Sequence, residues 1–288
     1  MSIQQISLLL RKDRNMENKV IVVDYTTASH KIEVSHLASP KKDRFMSLIL
    51  DINSLEEHQQ EFNNIATDSL YPLGGDALEF IVDMNGRRDT QIQDYKIAIG
   101  KVEAVINSCS SYENKAFVLI AHFQSEKDEI SGRGRMVPNV WGKDLPSLIP
   151  KKFSETFQTV VQDNGKGGME YLWLTRPEGL VGFLGSRIKD NLPRLIEPDF
   201  GKLWGDLVQD TERWKELVKE ALKANKIPPP RPGTALIVGE SHTGKTRSIG
   251  TLPGITVLFN LEPKGYQSLR VPYEITSSLR KYWEEKKK

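Results

Sequence analysis

Cys109 is the only cysteine in 288 residues. An intramolecular disulfide and a multi-cysteine metal site are therefore excluded, and such sparing use of cysteine suits a reducing compartment. No apolar run approaches the roughly 20 residues that a membrane-spanning helix needs, so no membrane partner is expected. Excess charge is missing too, with 40 Lys+Arg against 38 Asp+Glu and a formal net charge of +2. The surface as a whole does not demand a polyanion, and any basic region must be local. His30, His36 and His58 show no metal-ligand spacing, and no internal repeat is visible. The start, Met1-Ser-Ile-Gln-Gln-Ile-Ser-Leu-Leu-Leu-Arg-Lys-Asp-Arg-Asn15, carries its charges after its short apolar stretch. That is the reverse of a secretory signal, and the expected location is the cytoplasm.

Composition is that of a globular protein, with 38% hydrophobic and 27% charged residues, and the length is ample for a real core. Short β-branched or apolar runs at 20–23, 45–50, 117–121, 235–238 and 255–259 predict strands buried on both faces, the pattern of a parallel sheet. Residues 156–161 and 170–174 flank a Gly-rich stretch at 164–168, which predicts a hairpin at a sheet edge. Helical spacing is clearest over 90–108, through Ile92, Tyr95, Ile99, Val102 and Ile106, and returns over 211–223. Ile227-Pro-Pro-Pro-Arg-Pro-Gly233 is a linker, because consecutive prolines can neither continue a helix nor enter a central strand. The charged tail at 283–288 reads as a solvated helix end.

One motif is sharp. Directly after 235–238 comes Gly239-Glu-Ser-His-Thr-Gly244-Lys245-Thr246, which matches G-x-x-x-x-G-K-[ST], the P-loop. Gly239 and Gly244 let the backbone wrap so that consecutive N–H groups point at phosphate oxygens. Glu240, Ser241, His242 and Thr243 fill the loop, and Arg247 follows it. A helix starting there adds its positive end to the anion site. Lys245 can reach the β/γ-phosphates, and the Thr246 hydroxyl can ligate Mg²⁺. The expected ligands are therefore ATP and Mg²⁺.

Only 247–288 follows the motif, too short for the further strands that must supply a Mg²⁺-side carboxylate and a water-activating group. Those strands must lie upstream, which makes the chain order a circular permutation. Residues 227–233 would then join the usual C-terminal helix back to the usual first strand. The expected organisation is one domain over 1–288, with 1–226 as the usual C-terminal portion and 234–288 as the P-loop portion.

With that rearrangement the chain resembles phage-type, RecA-like ATPases that act as nucleotide-binding or single-strand-annealing accessory proteins. The resemblance runs through Ala235-Leu-Ile-Val-Gly-Glu-Ser-His-Thr-Gly-Lys-Thr246, Thr251-Leu-Pro-Gly254 and Leu258-Phe-Asn-Leu-Glu-Pro-Lys-Gly-Tyr-Gln-Ser-Leu269. It resumes at Ala66-Thr-Asp-Ser-Leu70, Leu119-Ile-Ala-His122, Trp141-Gly-Lys-Asp-Leu145, Leu174-Thr-Arg-Pro-Glu-Gly179 and Glu197-Pro-Asp-Phe200. It covers most of the chain, although only the P-loop is specific alone, and the order of segments departs from the family's. The implied fold is an α/β, RecA-like core with a mostly parallel central sheet.

The resemblance assigns Glu262, at the end of the strand after the P-loop, to polarising the attacking water. Asp68 and Asp24 both qualify as the Mg²⁺-side carboxylate. Asp68 is preferred, because Asp68, helix 90–108 and strand 117–121 make one strand–helix–strand crossover of the length a RecA-like core requires. His122, at the edge where ligands bind in open α/β sheets, is by resemblance a γ-phosphate sensor. It is equally a hydrogen-bonded histidine at a strand end. The loop after it holds Lys127, Arg133, Arg135, Lys143, Lys151 and Lys152, with Gly132 and Gly134, and would contact single-stranded DNA. Trp141 there can stack on a base or anchor the loop to the core. Arg176 and Arg187 are candidates for an arginine finger across a subunit interface, which implies a ring or filament.

The expected function is ATP hydrolysis coupled to DNA in phage-type recombination or annealing, in the cytoplasm of a prokaryotic host. A non-hydrolysing, nucleotide-dependent scaffold is the alternative. A permuted GTPase is disfavoured, because Asn18-Lys19 is followed by Val20-Ile21 and no guanine-reading N-K-x-D is found.

Overall fold

The computed structural model describes residues 18–26, 40–69, 71–112, 115–127, 132, 134–187, 189, 191–204, 211–224, 233–263 and 265–287. The strands are β1 (Lys19–Asp24), β2 (Asn64–Asp68), β3 (Ala116–Ala121), β4 (Phe123–Lys127), β5 (Gly134–Pro138) and β6 (Glu155–Asp163). They continue with β7 (Met169–Leu174), β8 (Gly185–Ser186), β9 (Leu195–Ile196), β10 (Thr234–Val238), β11 (Ile255–Asn260) and β12 (Tyr273–Thr276). The helices are α1 (Pro40–Ser54), α2 (Tyr71–Met84), α3 (Ile92–Ser111), α4 (Leu145–Leu148), α5 (Phe200–Trp204), α6 (Thr211–Lys223), α7 (Lys245–Ile249) and α8 (Leu279–Lys286).

This is an α/β fold around a mixed, mostly parallel sheet. Its order is β12-β1-β11-β2-β3-β10-β6-β7-β9, with β8 beside β6. From β12 to β6 every pairing is parallel, and the pairings β6–β7, β6–β8 and β7–β9 are antiparallel. The two ends of the chain interleave. β11 enters between β1 and β2, and β10 between β3 and β6.

Alternation along each parallel strand splits its apolar run between two cores, as the period of two requires. Ile21, Val23, Ile65, Phe117, Leu119, Leu236 and Val257 face a core closed by Phe45 and Leu48 of α1, Ala77 of α2, Val102 of α3 and Leu279 of α8. Val20, Val22, Ala66, Val118, Ile120, Ala235 and Leu258 face the other way. That second core is closed by Phe157, Trp173, Phe200, Trp204 and Ile249.

Four expectations need correction. Residues 45–50 are not a strand but the middle of α1, whose buried Phe45, Leu48 and Ile52 recur at helical intervals while Leu50 is 42% exposed. The crossover from β2 to β3 contains two helices, α2 and α3, where only the second was expected. On α3 the buried face is Ala98, Val102, Val105, Ile106 and Cys109, and Ile92, at the tip, is 91% exposed. The charged tail is not wholly solvated, since Trp283 of α8 is buried and stacks on His58 at 4.3 Å.

The hairpin is β6–β7, in register from Gln158↔Leu174 to Asp163↔Met169, and the helix expected over 211–223 is α6. The linker at 227–232, like His30 and His36, lies outside the described residues. Among the described residues no helix is long and apolar enough to cross a membrane.

Candidate functional site at the C-terminal edge of the sheet

β10 delivers its chain directly into the loop 239–244, and the loop's glycines are sterically required. A Cβ on Gly239 would lie 2.1 Å from Thr159 Oγ1, so β6 crowds the loop here. Gly244 has φ of +85°, and a Cβ there would sit 2.8 Å from the Tyr171 ring. His242 also lies in the left-handed region, with φ of +63°. Thr243 Oγ1 donates to Glu240 O at 2.7 Å and meets Thr159 Oγ1 at 2.5 Å, which ties the loop to β6. Glu240, Ser241 and His242 are exposed. α7 has only five residues, so the helix contributes less to the loop's field than a long helix would. For any anion held there, Lys245 and the loop amides would supply most of the attraction.

Parallel register brings the other groups to this edge. Asp24, Asn260 and Asp68 share one rung, through Asp24↔Asn260 and Asn260↔Asp68. His122 follows β3 and Glu262 follows β11. Thr246 Oγ1 donates to Asp68 Oδ2 at 2.8 Å. Lys245 Nζ donates to Glu240 O at 2.7 Å and lies 3.4 Å from His122 Nδ1. His122 Nε2 lies 3.0 Å from Glu262 Oε1. Lys245, Thr246, Asp68, His122 and Glu262 therefore form one connected cluster, assembled from three strand ends and the loop.

Asp24 stands apart from Thr246. Its Oδ1 accepts from Thr26 Oγ1 at 2.7 Å and from Asn260 Nδ2 at 3.0 Å. Arg247 is exposed and lies over the Tyr171 ring, 5.2 Å from its centroid.

Burial sets the electrostatics. It pushes the Asp68 carboxyl up to about 6, helped by the charge of Glu262 and opposed by the Thr246 hydrogen bond and by Lys245 and His122. Burial also lowers Lys245 from the usual ammonium range, with Asp68, Glu262 and Glu240 pulling back. For Glu262 burial acts upward. Hydrogen bonds from His122 and Ser69, with the charges of His122 and Lys245, outweigh it and hold the carboxylate below its usual range. Glu262 is thus ionised at neutral pH. Burial raises Cys109 to about 12, which leaves its thiol inert.

Asn260 and Gly265 were not singled out from sequence. Asn260 is fully buried, and its Nδ2 donates both to Asp24 and to Glu262 O, the latter at 2.8 Å. It thus holds the chain segment that carries Glu262. A Cβ on Gly265 would lie 2.6 Å from Asp68 Oδ2 and 3.1 Å from Asn260 Oδ1, so this turn closes over the carboxylate. The only sequence signal for either was position, just before and just after Glu262.

The expected DNA loop is a two-stranded ribbon, β4–β5, closed at its foot by Asn139 N donating to His122 O at 2.7 Å. Lys127 and Lys143 are exposed. Arg135 pairs with Glu126 at 2.8 Å, and Lys152 pairs with Glu103 at 2.7 Å. Arg133 lies outside the described residues. Glu126, Asp128 and Glu129 match Lys127, Arg133 and Arg135 in number, so the ribbon is not a strongly cationic arm. Trp141 anchors the segment after the ribbon. It stacks on Tyr95 at 5.4 Å, and a Cβ on Gly74 would lie 2.2 Å from its own Cβ. The finger candidates bond within the chain, Arg176 to Leu192 O at 2.7 Å and Arg187 to Lys151 O at 3.1 Å.

No known protein family, no curated protein and no solved structure matches this chain.

Proposed function

We propose that this chain binds a nucleoside triphosphate, ATP by expectation, on the loop 239–246 and hydrolyses it, with a RecA-like core in permuted order. The observation that carries the reading is the contact of Thr246 Oγ1 with Asp68 Oδ2 at 2.8 Å, beside Lys245 and Glu262. A permuted order demands that a carboxylate from far upstream reach the loop's hydroxyl, and Asp68 does so across 178 positions of sequence.

The donor set suits Mg²⁺. A hydroxyl and one carboxylate are hard oxygen ligands, and Mg²⁺ takes few protein ligands and completes its shell with water and phosphate. When bound, Mg²⁺ supplies charge neutralisation at the β- and γ-phosphate oxygens. Lys245, free of Glu240 O, extends to the phosphates. The ionised Glu262 accepts a proton from, or orients, the attacking water. His122 bridges Lys245 and Glu262, so a change at the phosphates reaches the ribbon rooted on its own carbonyl.

Coupling to single-stranded DNA and assembly into a ring or filament belong to the same proposal. Their support is the resemblance and the ribbon's root at His122, and the balanced charge of the ribbon weighs against a strong contact. Phosphate release by the purified protein with ATP and Mg²⁺ tests hydrolysis, and its stimulation by single-stranded DNA tests the coupling. Lys245→Ala is expected to abolish nucleotide binding in a folded protein. Unchanged ATP affinity in that variant would refute the phosphate-loop assignment. Binding without turnover would favour the scaffold, and tighter binding of GTP than of ATP would favour the GTPase.

A further inference from the structure

A cleft of about 460 Å³ opens at Gly244 and runs along the flank of α7, past Arg247 and Thr251, to Arg270. β7 forms the opposite wall. The face of β7 that carries Met169, Tyr171 and Trp173 is graded from rim to core. Met169 is 62% exposed, Tyr171 is half-buried, and Trp173 is fully buried among Phe157 and Phe200. Tyr171 is thus an aromatic ring left at the mouth of a cavity that begins where the phosphate loop ends. Glu197 and Asp199 also line the cleft, and both lie against Lys202.

The geometry points to this cleft as the nucleoside site, with the base seated against Tyr171. The inference rests on the proposed phosphate-loop reading and extends it to a surface that no motif marks. A nucleoside is what is joined to a polyphosphate, and the cleft is continuous with the loop through Gly244. Its volume falls within the range of small-molecule sites. An aromatic face stacks on any base, and carboxylates such as Asp199 and Glu197 accept hydrogen bonds from ribose hydroxyls. Arg247 already lies over the ring at 5.2 Å from its centroid, too close for another ring to enter between them. A base on Tyr171 therefore displaces this exposed guanidinium, whose length lets it turn to the phosphates instead.

The test compares ATP with inorganic tripolyphosphate, which has the phosphates without the nucleoside. Affinities of both are measured by calorimetry for the parent, Tyr171→Ala, Tyr171→Phe and Lys245→Ala. Tyr171→Ala is expected to weaken ATP by roughly 5- to 100-fold, the range of one lost base–aromatic stack, and to leave tripolyphosphate within about two-fold. Tyr171→Phe is expected to restore ATP affinity, since the ring face is what stacks. Unchanged ATP affinity in Tyr171→Ala overturns the inference. So does an equal loss of both ligands, which would mean that the ring only supports Gly244. If instead the parent binds tripolyphosphate no better than Lys245→Ala does, the phosphate-loop reading itself falls, and the nucleoside inference falls with it.

Discussion

Asp24 and Asp68 stand on one rung of the sheet, two strands apart, with the fully buried Asn260 between them. Only Asp68 touches Thr246; Asp24 is occupied by Thr26 and Asn260. Asp68→Asn is therefore expected to reduce Mg²⁺-dependent turnover far more than Asp24→Asn, whose main effect should be on stability. Steady-state phosphate release across a Mg²⁺ titration decides the ranking, and the opposite order would move the cation site to β1. Glu262→Gln keeps the shape of the side chain while removing the proton acceptor. ATP binding should persist and turnover should fall by about 10²–10⁴-fold, the typical contribution of a positioned base. Turnover within a few-fold of the parent would reduce Glu262 to a turn residue.

At the scale of elements, α2 makes the reverse of a propensity argument. Gly74 lies inside this helix, where alanine normally stabilises by about 1 kcal/mol. Here a Cβ would lie 2.2 Å from Trp141 Cβ, and Trp141 is clamped on its other side by Tyr95. Gly74→Ala is thus expected to destabilise by about 1–3 kcal/mol, the usual cost of overpacking. Urea denaturation measures it, and a variant as stable as the parent would mean that the segment after the ribbon is free to move. α1 carries a related lesson. The run from Phe45 to Leu50 is apolar enough for a strand, and only the burial of Phe45, Leu48 and Ile52 against the sheet selects the helix. Period alone cannot separate the two states over six residues.

At the scale of the molecule, the candidate site occupies one edge of the sheet and a buried carboxylate the other. Glu155 begins β6 beside Ala235, at the end of β10 away from the phosphate loop, and is fully buried. Burial raises its carboxyl from 4.5 to about 7, against the weaker pull of Ser186 and Lys189. The folded state therefore holds a proton between pH 4.5 and about 7 that the unfolded state has released. Stability falls as pH rises through that window. Glu155→Gln removes the titration. It should be more stable than the parent at pH 8, by up to about 3 kcal/mol, with the gain shrinking toward pH 4. Thermal melts of both proteins across that range test it, and parallel pH profiles would show that Glu155 does not titrate there. ATP turnover should be unaffected, because Glu155 lies at the opposite edge from Lys245.

The sequence determined what is local. The loop 239–246 is contiguous, and the steric demands on Gly239 and Gly244 are legible as residue types at fixed spacing. Strands β1, β3, β10 and β11 are legible because burial on both faces leaves continuous apolar runs, whereas β2 and the half-exposed β12 leave none. Helix α6 and the β6–β7 hairpin declare themselves through periodicity and glycine. What the tertiary structure alone decided is register and crowding. Which carboxylate meets Thr246 depends on β2, and not β1, lying between β11 and β3. Whether Trp141 faces solvent depends on the space left at Gly74. That Asn260 meets Asp24 depends on the rung that β1 and β11 share. These are contacts between residues far apart in sequence. Their geometry is set by the pairing of whole strands, so no short window of the chain contains it.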